Sequence, residues 1–174
     1  MTEAHAVATV HLRGVEDRDL ELFFDHQKDP QAVEMAAFPA RDRERFFAHW
    51  AKVRADSANV VRTIVADGEV AGNIGSWEDA GQQLLGYWIG REWWGRGVAT
   101  RALALLIDEL PVRPLYAHVV AHNVGSIRVL QKCGFERDRV AEAKAAPPDD
   151  GVEELVFMLN AQAHGRTGAS GFGL

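Results

Sequence analysis

A glycine-rich segment, GYWIGREWWGRGVATRA from Gly86 to Ala102, has the residue types and spacing that could do chemistry. It joins a strand-like stretch to a helix-like stretch through a turn. Glycines such as Gly95 and Gly97 let the backbone approach a ligand closely, because they lack a Cβ atom. The free N–H groups and the dipole at the start of the following helix favour a phosphate group. The segment therefore predicts a pyrophosphate site, although a plain strand-to-helix turn can have the same spacing.

Two other phosphate-binding loops do not fit this segment. A Walker-type loop ends in Gly-Lys-Ser/Thr, whereas residues 97–100 read Gly-Val-Ala-Thr. A dinucleotide fingerprint requires Gly or Ala at position 100 and an acidic residue after the next strand, and neither Thr100 nor residues 119–121 provide them.

A second segment, AHNVGSIRVLQKCGF from Ala121 to Phe135, completes a pattern that resembles the GNAT superfamily of N-acetyltransferases. Trp94-x-x-Gly97-x-Ala99 resembles motif A of that superfamily, and the Asn-x-x-Ser and Lys-x-Gly-Phe landmarks of residues 121–135 resemble motif B. Trp94 stands where Gln or Arg is usual, which is similar to the ribosomal-protein N-acetyltransferase (RimJ/RimL-like) branch. The resemblance implies an α/β (α+β) GNAT fold, with a mixed, largely antiparallel twisted sheet of about seven strands that splays at an acetyl-CoA cleft.

The resemblance also implies acetyl-CoA as co-substrate, with no metal. The pyrophosphate is expected on the N–H groups of residues 96–100, assisted by Arg91 or Arg96. The pantetheine arm is expected to pair with residues 87–89 and with Asn123, which can equally cap a helix. The N–H group of Trp88 or Ile89 is expected to polarise the thioester carbonyl. The residues expected to contact the cofactor are Trp88, Ile89, Arg91, Trp94, Gly95, Arg96, Gly97, Val98, Ala99, Thr100, Asn123 and Ser126.

Direct attack of an amine on the thioester is the mechanism that the resemblance implies, so Cys133 is not expected to act as a nucleophile. Ser126 matches the position that several relatives use to protonate the leaving thiol, and a serine that only binds pantetheine or water is the alternative. His118 is a candidate general base, as are Glu78, Asp79 or a water relay.

The acceptor pocket is expected to contain Met35, Phe38 and Trp93, although core packing explains these side chains equally well. The acceptor is an amine, either a protein N-terminal α-amine or a small molecule. An α-amine of pKa about 8 is easier to deprotonate near neutral pH than a lysine-like amine of pKa about 10.4. A CoA-binding module with little or no turnover is the alternative function, and a blocked acceptor cleft would distinguish it.

Periodicity and turn residues predict the elements that must position these side chains. A helix capped by Asp17 is expected to end at Pro30, and the Asn123 helix is expected to end at Gly134. The predicted strands cover residues 7–12, 60–66, 70–77, 84–89, 115–120, 135–145 and 152–159, and the other helices cover residues 42–54 and 98–110.

Length and composition complete the sequence-based picture. The 174 residues are 47% apolar, which predicts one domain (residues 1–161) followed by a C-terminal tail (residues 162–174). A net charge of −6 argues against nucleic-acid binding, and no apolar run is long enough to span a membrane, so neither partner is expected. A single cysteine, Cys133, fits a cytoplasmic protein, and a homodimer is compatible with the sequence.

Overall fold

A computed structural model describes residues 8–145 and 150–161, so the predicted tail, residue 7 and part of the closing turn lie outside the described residues. Within these residues seven strands form one sheet in the order β1-β2-β3-β4-β5-β7-β6. The pairs are antiparallel except β4 with β5. The predicted mixed, largely antiparallel fold is confirmed. The strands are β1 (Val10–Arg13), β2 (Val60–Ala66), β3 (Glu69–Asp79), β4 (Gln82–Ile89), β5 (Leu115–Val120), β6 (Glu136–Arg137) and β7 (Glu154–Leu159).

Helices cover both faces of the sheet. They are α1 (Asp19–Lys28), α2 (Pro30–Ala36), α3 (Arg43–Ala55), α4 (Val98–Glu109), α5 (Val124–Lys132) and α6 (Arg139–Lys144), with a short 3₁₀ turn at Arg91–Trp93. Among the described residues, the helices all lack the combination of length and apolar character that a membrane crossing requires.

Two apolar clusters lie on opposite faces of the sheet, because successive side chains of a strand point to opposite sides. On β2, Ile64 belongs to the cluster under α4 and α5, whereas Val61 packs against the cluster under α1 and α3. The first cluster holds α4 on the sheet through its buried residues Val98, Ala102, Leu103 and Leu106. The second is largely aromatic and contains Leu20, Phe23, Phe24, Phe46 and Trp50.

Helix α1 begins differently from the prediction. Asp17 was expected to cap it, but its side chain binds Arg54, and the residue at the cap position, Arg18, makes no side-chain cap hydrogen bond. Asp19 is buried instead and accepts hydrogen bonds from both terminal nitrogens of Arg13 at 2.6 and 2.8 Å and from Thr63 Oγ1 at 2.7 Å. This network ties the start of α1 to β1 and β2.

Pro30 does not simply end a helical region, because it opens a further helix, α2. The Asp29 side chain accepts hydrogen bonds from the N–H groups of Gln31 and Ala32, and proline at the first helical position needs no N–H partner. The prediction treated this region as a connection and missed α2.

The predicted closing hairpin is wrong over most of its first arm. Strand β6 has only two residues, after which Asp138 caps α6 by accepting hydrogen bonds from the N–H groups of Val140 and Ala141. Glu142 on α6 accepts a hydrogen bond from Val156 N on β7 at 3.0 Å, so the helix replaces the missing strand pairing at this edge.

Candidate active site

Strands β4 and β5 separate soon after they meet. Their parallel pairing is limited to Gln83↔Leu115 and Leu84↔Tyr116. Beyond that point β4 stays paired with β3, and β5 stays paired with β7 as far as Val120↔Glu154. Each strand follows its other neighbour, so a wedge-shaped gap opens between them. The predicted splay is confirmed, and it occurs without a register break between β3 and β4.

The β3–β4 register determines which backbone groups face this gap. Gly90 N donates to Ala71 O at 2.8 Å, and hydrogen-bonded pairs alternate along an antiparallel ladder. Trp88 therefore pairs with Asn73, and the N–H groups of Tyr87 and Ile89 point towards β5. Of the two N–H groups considered for the thioester carbonyl, the one of Ile89 faces the gap and the one of Trp88 does not.

The turn before α4 has the backbone that the glycines predict. Gly95 and Gly97 have φ angles of 72° and 74°, a left-handed region that disfavours side chains. Gly97 is the N-cap of α4 and offers no side chain to the first N–H groups of the helix. Those groups and the helix dipole are free to bind an anion.

A cleft of about 390 Å³ runs from this turn along β4 to α5. Ten of the twelve residues expected at the cofactor line it: Trp88, Ile89, Trp94, Gly95, Gly97, Val98, Ala99, Thr100, Asn123 and Ser126. Trp94, which replaces the usual Gln or Arg, donates its indole N–H to Ile89 O at 3.1 Å. It thereby joins the turn to the edge of β4.

The two arginines predicted to assist the phosphates bind elsewhere. Arg91 binds Gln31 Oε1 at 2.6 Å and Asp29 at 3.1 Å, and neither Arg91 nor Arg96 lines the cleft. Arg96 binds Asp67 at 2.7 Å and stacks over the Trp93 ring at 4.4 Å. The lining cations are Arg128 and Lys132 on α5, which the sequence analysis did not assign. Their spacing of four residues, which places both on one helix face, was the available signal.

A second cavity, of about 620 Å³, lies on the other side of the β4–β5 gap. Its walls come from the α2–α3 connection, α3, β3, β4 and β5, and they include Phe38, Trp50, Trp77 and Glu78. The two cavities share five lining residues, which are Ala36, Tyr87, Trp88, Asn123 and Ser126. We call these five residues the junction.

A pair of hydroxyl groups lies in the junction. Tyr87 Oη is 2.6 Å from Ser126 Oγ, and burial raises the pKa of Tyr87 to about 12 although the Ser126 hydrogen bond lowers it. Asn123 Oδ1 accepts a hydrogen bond from Ser126 N at 3.1 Å, so it caps α5 and leaves its amide nitrogen for a ligand. The sequence analysis assigned no role to the side chain of Tyr87, and the fold brings it to Ser126.

His118 lines the second cavity and has an acidic partner that was not predicted. Its Nδ1 is 3.0 Å from Glu154 Oε2 on β7. On β5 it lies two residues beyond the last paired position, level with Gly86 across the gap. Glu78 also lines this cavity, whereas Asp79 lines neither.

The residues expected at the acceptor divide between the cavities. Phe38 lines the second cavity, 43% exposed, with its ring edge-on to Trp88 at 6.5 Å. Met35 and Trp93 line the first cleft instead. Cys133 lies between α4 and α5, where its Sγ donates to Thr100 O at 3.5 Å and burial raises the pKa of the thiol.

Comparisons with known proteins agree with this geometry. The family model described as an acetyltransferase (GNAT) domain matches residues 9–136. YjcK of Bacillus subtilis, described as a probable N-acetyltransferase, is 36% identical over 62 residues, which are 33% of this chain and 34% of that protein. The match thus spans about a third of that relative's length.

Solved structures share the fold at low sequence identity. Spermidine N-acetyltransferase from Vibrio cholerae, solved with CoA and spermine, superposes with a TM-score of 0.72 and 16% identity, over 87% of this chain and 95% of that chain. RimL, a ribosomal L7/L12 α-N-protein acetyltransferase solved with coenzyme A, gives 0.70 and 15%, over 87% and 94%.

Proposed function

The chain belongs to the GNAT acetyltransferase family, and on that premise we propose that it is an N-acetyltransferase that moves an acetyl group from acetyl-CoA to an amine. The observation that carries the proposal is the pair of cavities that meet at the junction. A two-substrate transfer requires that donor and acceptor enter separately and come into contact at one point. Relatives of the same fold that were solved with CoA support the identity of the donor.

The first cleft fits the donor. Its glycine turn offers uncapped N–H groups to a pyrophosphate, and Arg128 and Lys132 supply positive charge along the same cleft. Acetyl-CoA supplies the acetyl group as a thioester. The Ile89 N–H group, which faces the gap, is placed to donate a hydrogen bond to the carbonyl oxygen as negative charge develops there.

Four side chains account for the proton movements. As the new C–N bond forms and the C–S bond breaks, Ser126 donates a proton to the departing sulfur, and its oxygen regains a proton from solvent water before the next turnover. Tyr87, which keeps its proton because of its raised pKa, donates to Ser126 Oγ and orients it. The His118–Glu154 pair accepts the proton that the attacking nitrogen loses, directly or through water.

A CoA-binding module without turnover is less well supported. It would need a blocked acceptor side, whereas the second cavity is open and joins the cleft at the junction. Within the family, Trp94 favours the RimJ/RimL-like branch, and an α-amine acceptor suits a site with a modest base because it loses its proton readily. Among primary amines, protein N-terminal α-amines and small molecules that carry an α-amine are therefore favoured as acceptors.

Thiol release from acetyl-CoA with a panel of peptides and amines tests the proposal. Turnover should give one thiol for each acetylated amine found by mass spectrometry. Calorimetry with CoA is the parallel measurement. CoA binding without thiol release for any amine would favour the module without turnover, and failure to bind CoA would remove the donor assignment.

A further inference from the structure

The second cavity has charged walls of opposite sign. The sheet side carries Glu78 and Glu154, the latter in contact with His118. The helix side carries Arg41, from the α2–α3 connection, and His49 from α3. An acceptor that fits this cavity must match positive charge on one side and negative charge on the other.

The Arg41 guanidinium has no ion-pair or hydrogen-bond partner within the described residues, which is unusual for this chain. Most arginines there bind a carboxylate or a backbone carbonyl. The exceptions in the described ranges are Arg139, exposed on α6, together with Arg128 and Arg41. Arg128 lines the cleft assigned to an anionic donor, and Arg41 lines the second cavity. The parallel suggests that Arg41 also meets an anion.

Arg41 is held in place by a buried glutamine. Gln27, 6% exposed, donates from Nε2 to Arg41 O at 2.8 Å and accepts from Arg41 N at 2.9 Å. A buried side chain thus uses both of its polar groups to fix the backbone of this residue. The Arg41 side chain therefore extends from a fixed point of the backbone in the wall of the second cavity.

An aromatic path links Arg41 to the junction. The guanidinium lies over the Phe38 ring at 5.0 Å, and Phe38 contacts Trp88, a junction residue, at 6.5 Å. The Trp88 indole N–H donates to His26 O at 3.2 Å, which fixes its orientation. Burial lowers the pKa of His49, and positive charge from Arg41 and Lys52 lowers it further. The helix side of the second cavity therefore carries positive charge.

We propose that the acceptor is a primary amine that carries an oxyanion, a carboxylate or a phosphate, at the end remote from the reacting nitrogen. Arg41 binds the oxyanion, Phe38 and Trp88 contact the connecting part, and the amine lies at the junction beside His118. This inference rests on the proposed acetyltransferase function. It disfavours a polyamine, whose second cation would approach Arg41.

Matched acceptors test the charge requirement. The first pair is the dipeptide Ala-Phe, which has a free carboxylate, and its C-terminal amide. The second pair is phosphoethanolamine and ethanolamine. Spermidine serves as the polyamine. We expect the wild-type enzyme to prefer at least one anionic member over its neutral match by about tenfold or more in kcat/KM, as for a charge-assisted contact. The pair that shows the preference identifies a carboxylate or a phosphate.

Variants of Arg41 assign the preference to this residue. Arg41→Gln should reduce the ratio to about twofold or less, chiefly by raising KM for the anionic member, because the contact binds substrate and transition state alike. Arg41→Lys keeps the charge and should retain part of the ratio. Arg45→Gln is the matched control, since Arg45 is exposed on α3 and lines neither cavity. Thermal unfolding checks that each variant folds.

Tryptophan fluorescence separates this inference from the proposed function, because Trp50, Trp77 and Trp88 line the second cavity. Titration of the CoA-bound enzyme with each acceptor reports binding without turnover. An anionic member that binds at least about tenfold more tightly than its neutral match would support the inference even if no thiol is released, a result that would count against the transferase proposal alone. Equal binding within both pairs, no binding by any of them, or spermidine as the best acceptor would overturn the inference.

Discussion

Replacing Tyr87 with phenylalanine removes the hydroxyl group that lies 2.6 Å from Ser126 Oγ and leaves the ring in place. Because the apolar part is retained, the change should leave packing largely intact. A net hydrogen bond contributes about 0.5–1.5 kcal/mol, so turnover should fall about 2-fold to 13-fold if the bond orients Ser126 in the transition state. Ser126→Ala removes the donor itself, and its effect should be about 100-fold or less, since a thiol leaves readily.

The two changes should not be additive. If Tyr87 acts through Ser126, the Tyr87→Phe change should have little further effect in the Ser126→Ala background, and the coupling energy should equal the loss of the single Tyr87 variant. Tyr116→Phe is the matched control, because Tyr116 lies on β5 outside both cavities. It should leave turnover unchanged.

Steady-state thiol release at saturating acetyl-CoA and acceptor measures turnover, and calorimetry measures CoA affinity. The proton-donor role predicts lower kcat with nearly unchanged CoA affinity for Ser126→Ala. Wild-type turnover with weakened CoA binding would instead identify a serine that only positions pantetheine. Losses that multiply in the double variant would show that Tyr87 does not act through Ser126.

Three further changes test other parts of the site and fold. Gly97→Val should weaken CoA binding by about tenfold or more in calorimetry, because a side chain at φ 74° is strained by about 1–2 kcal/mol or more. Gly81→Val places the same side chain at φ 79° in the β3–β4 turn and should leave CoA binding unchanged. His118→Gln should lower kcat by about 100-fold with unchanged CoA affinity. Glu154→Gln should have a smaller effect, because Glu154 only binds His118; an equally large loss of kcat would contradict that role. Burial raises the pKa of Asp19, but the hydrogen bonds from Arg13, Glu16 N and Thr63 outweigh it and bring the pKa to about 2, from a usual 3.8. The Asp19 carboxylate therefore contributes about 2 kcal/mol to the free energy of unfolding above pH 4, and this contribution is lost as the pH falls through 2. Urea unfolding should show this acid-dependent loss in the wild type and not in Asp19→Asn.

Local sequence signals predicted much of the framework. Strands β2 and β5 have the predicted bounds, because each is a short apolar run bounded by turn residues. Asn123 caps α5 as expected, and Gly134 has a φ of 88° at its end. Each of these features depends on residues within a few positions in the chain, which a sequence displays directly.

Contacts between distant residues could not be predicted in the same way. Tyr87 and Ser126 are 39 residues apart, and their contact depends on how β4 and α5 meet across the gap. Arg91 and Arg96 are close to the glycine turn in sequence, yet both are occupied by carboxylates of other elements. Helix α6 was missed because its cap, Asp138, and its contact with β7 outweigh the strand-like composition of the segment.

A single feature of the sheet explains why the two proposed substrate sites meet where they do. β3 holds β4 through pairs such as Asn73↔Trp88, and β7 holds β5 as far as Val120↔Glu154, so neither strand can follow the other beyond Leu84↔Tyr116. The unpaired N–H groups of Tyr87 and Ile89 and the cavities on both sides are consequences of that one separation. If β4 and β5 stayed paired, those N–H groups would be hydrogen-bonded and the gap would be closed. The ends of β4 and β5 therefore lack sheet hydrogen bonds with each other, each a modest net stabilisation, and in return both cavities reach Ser126.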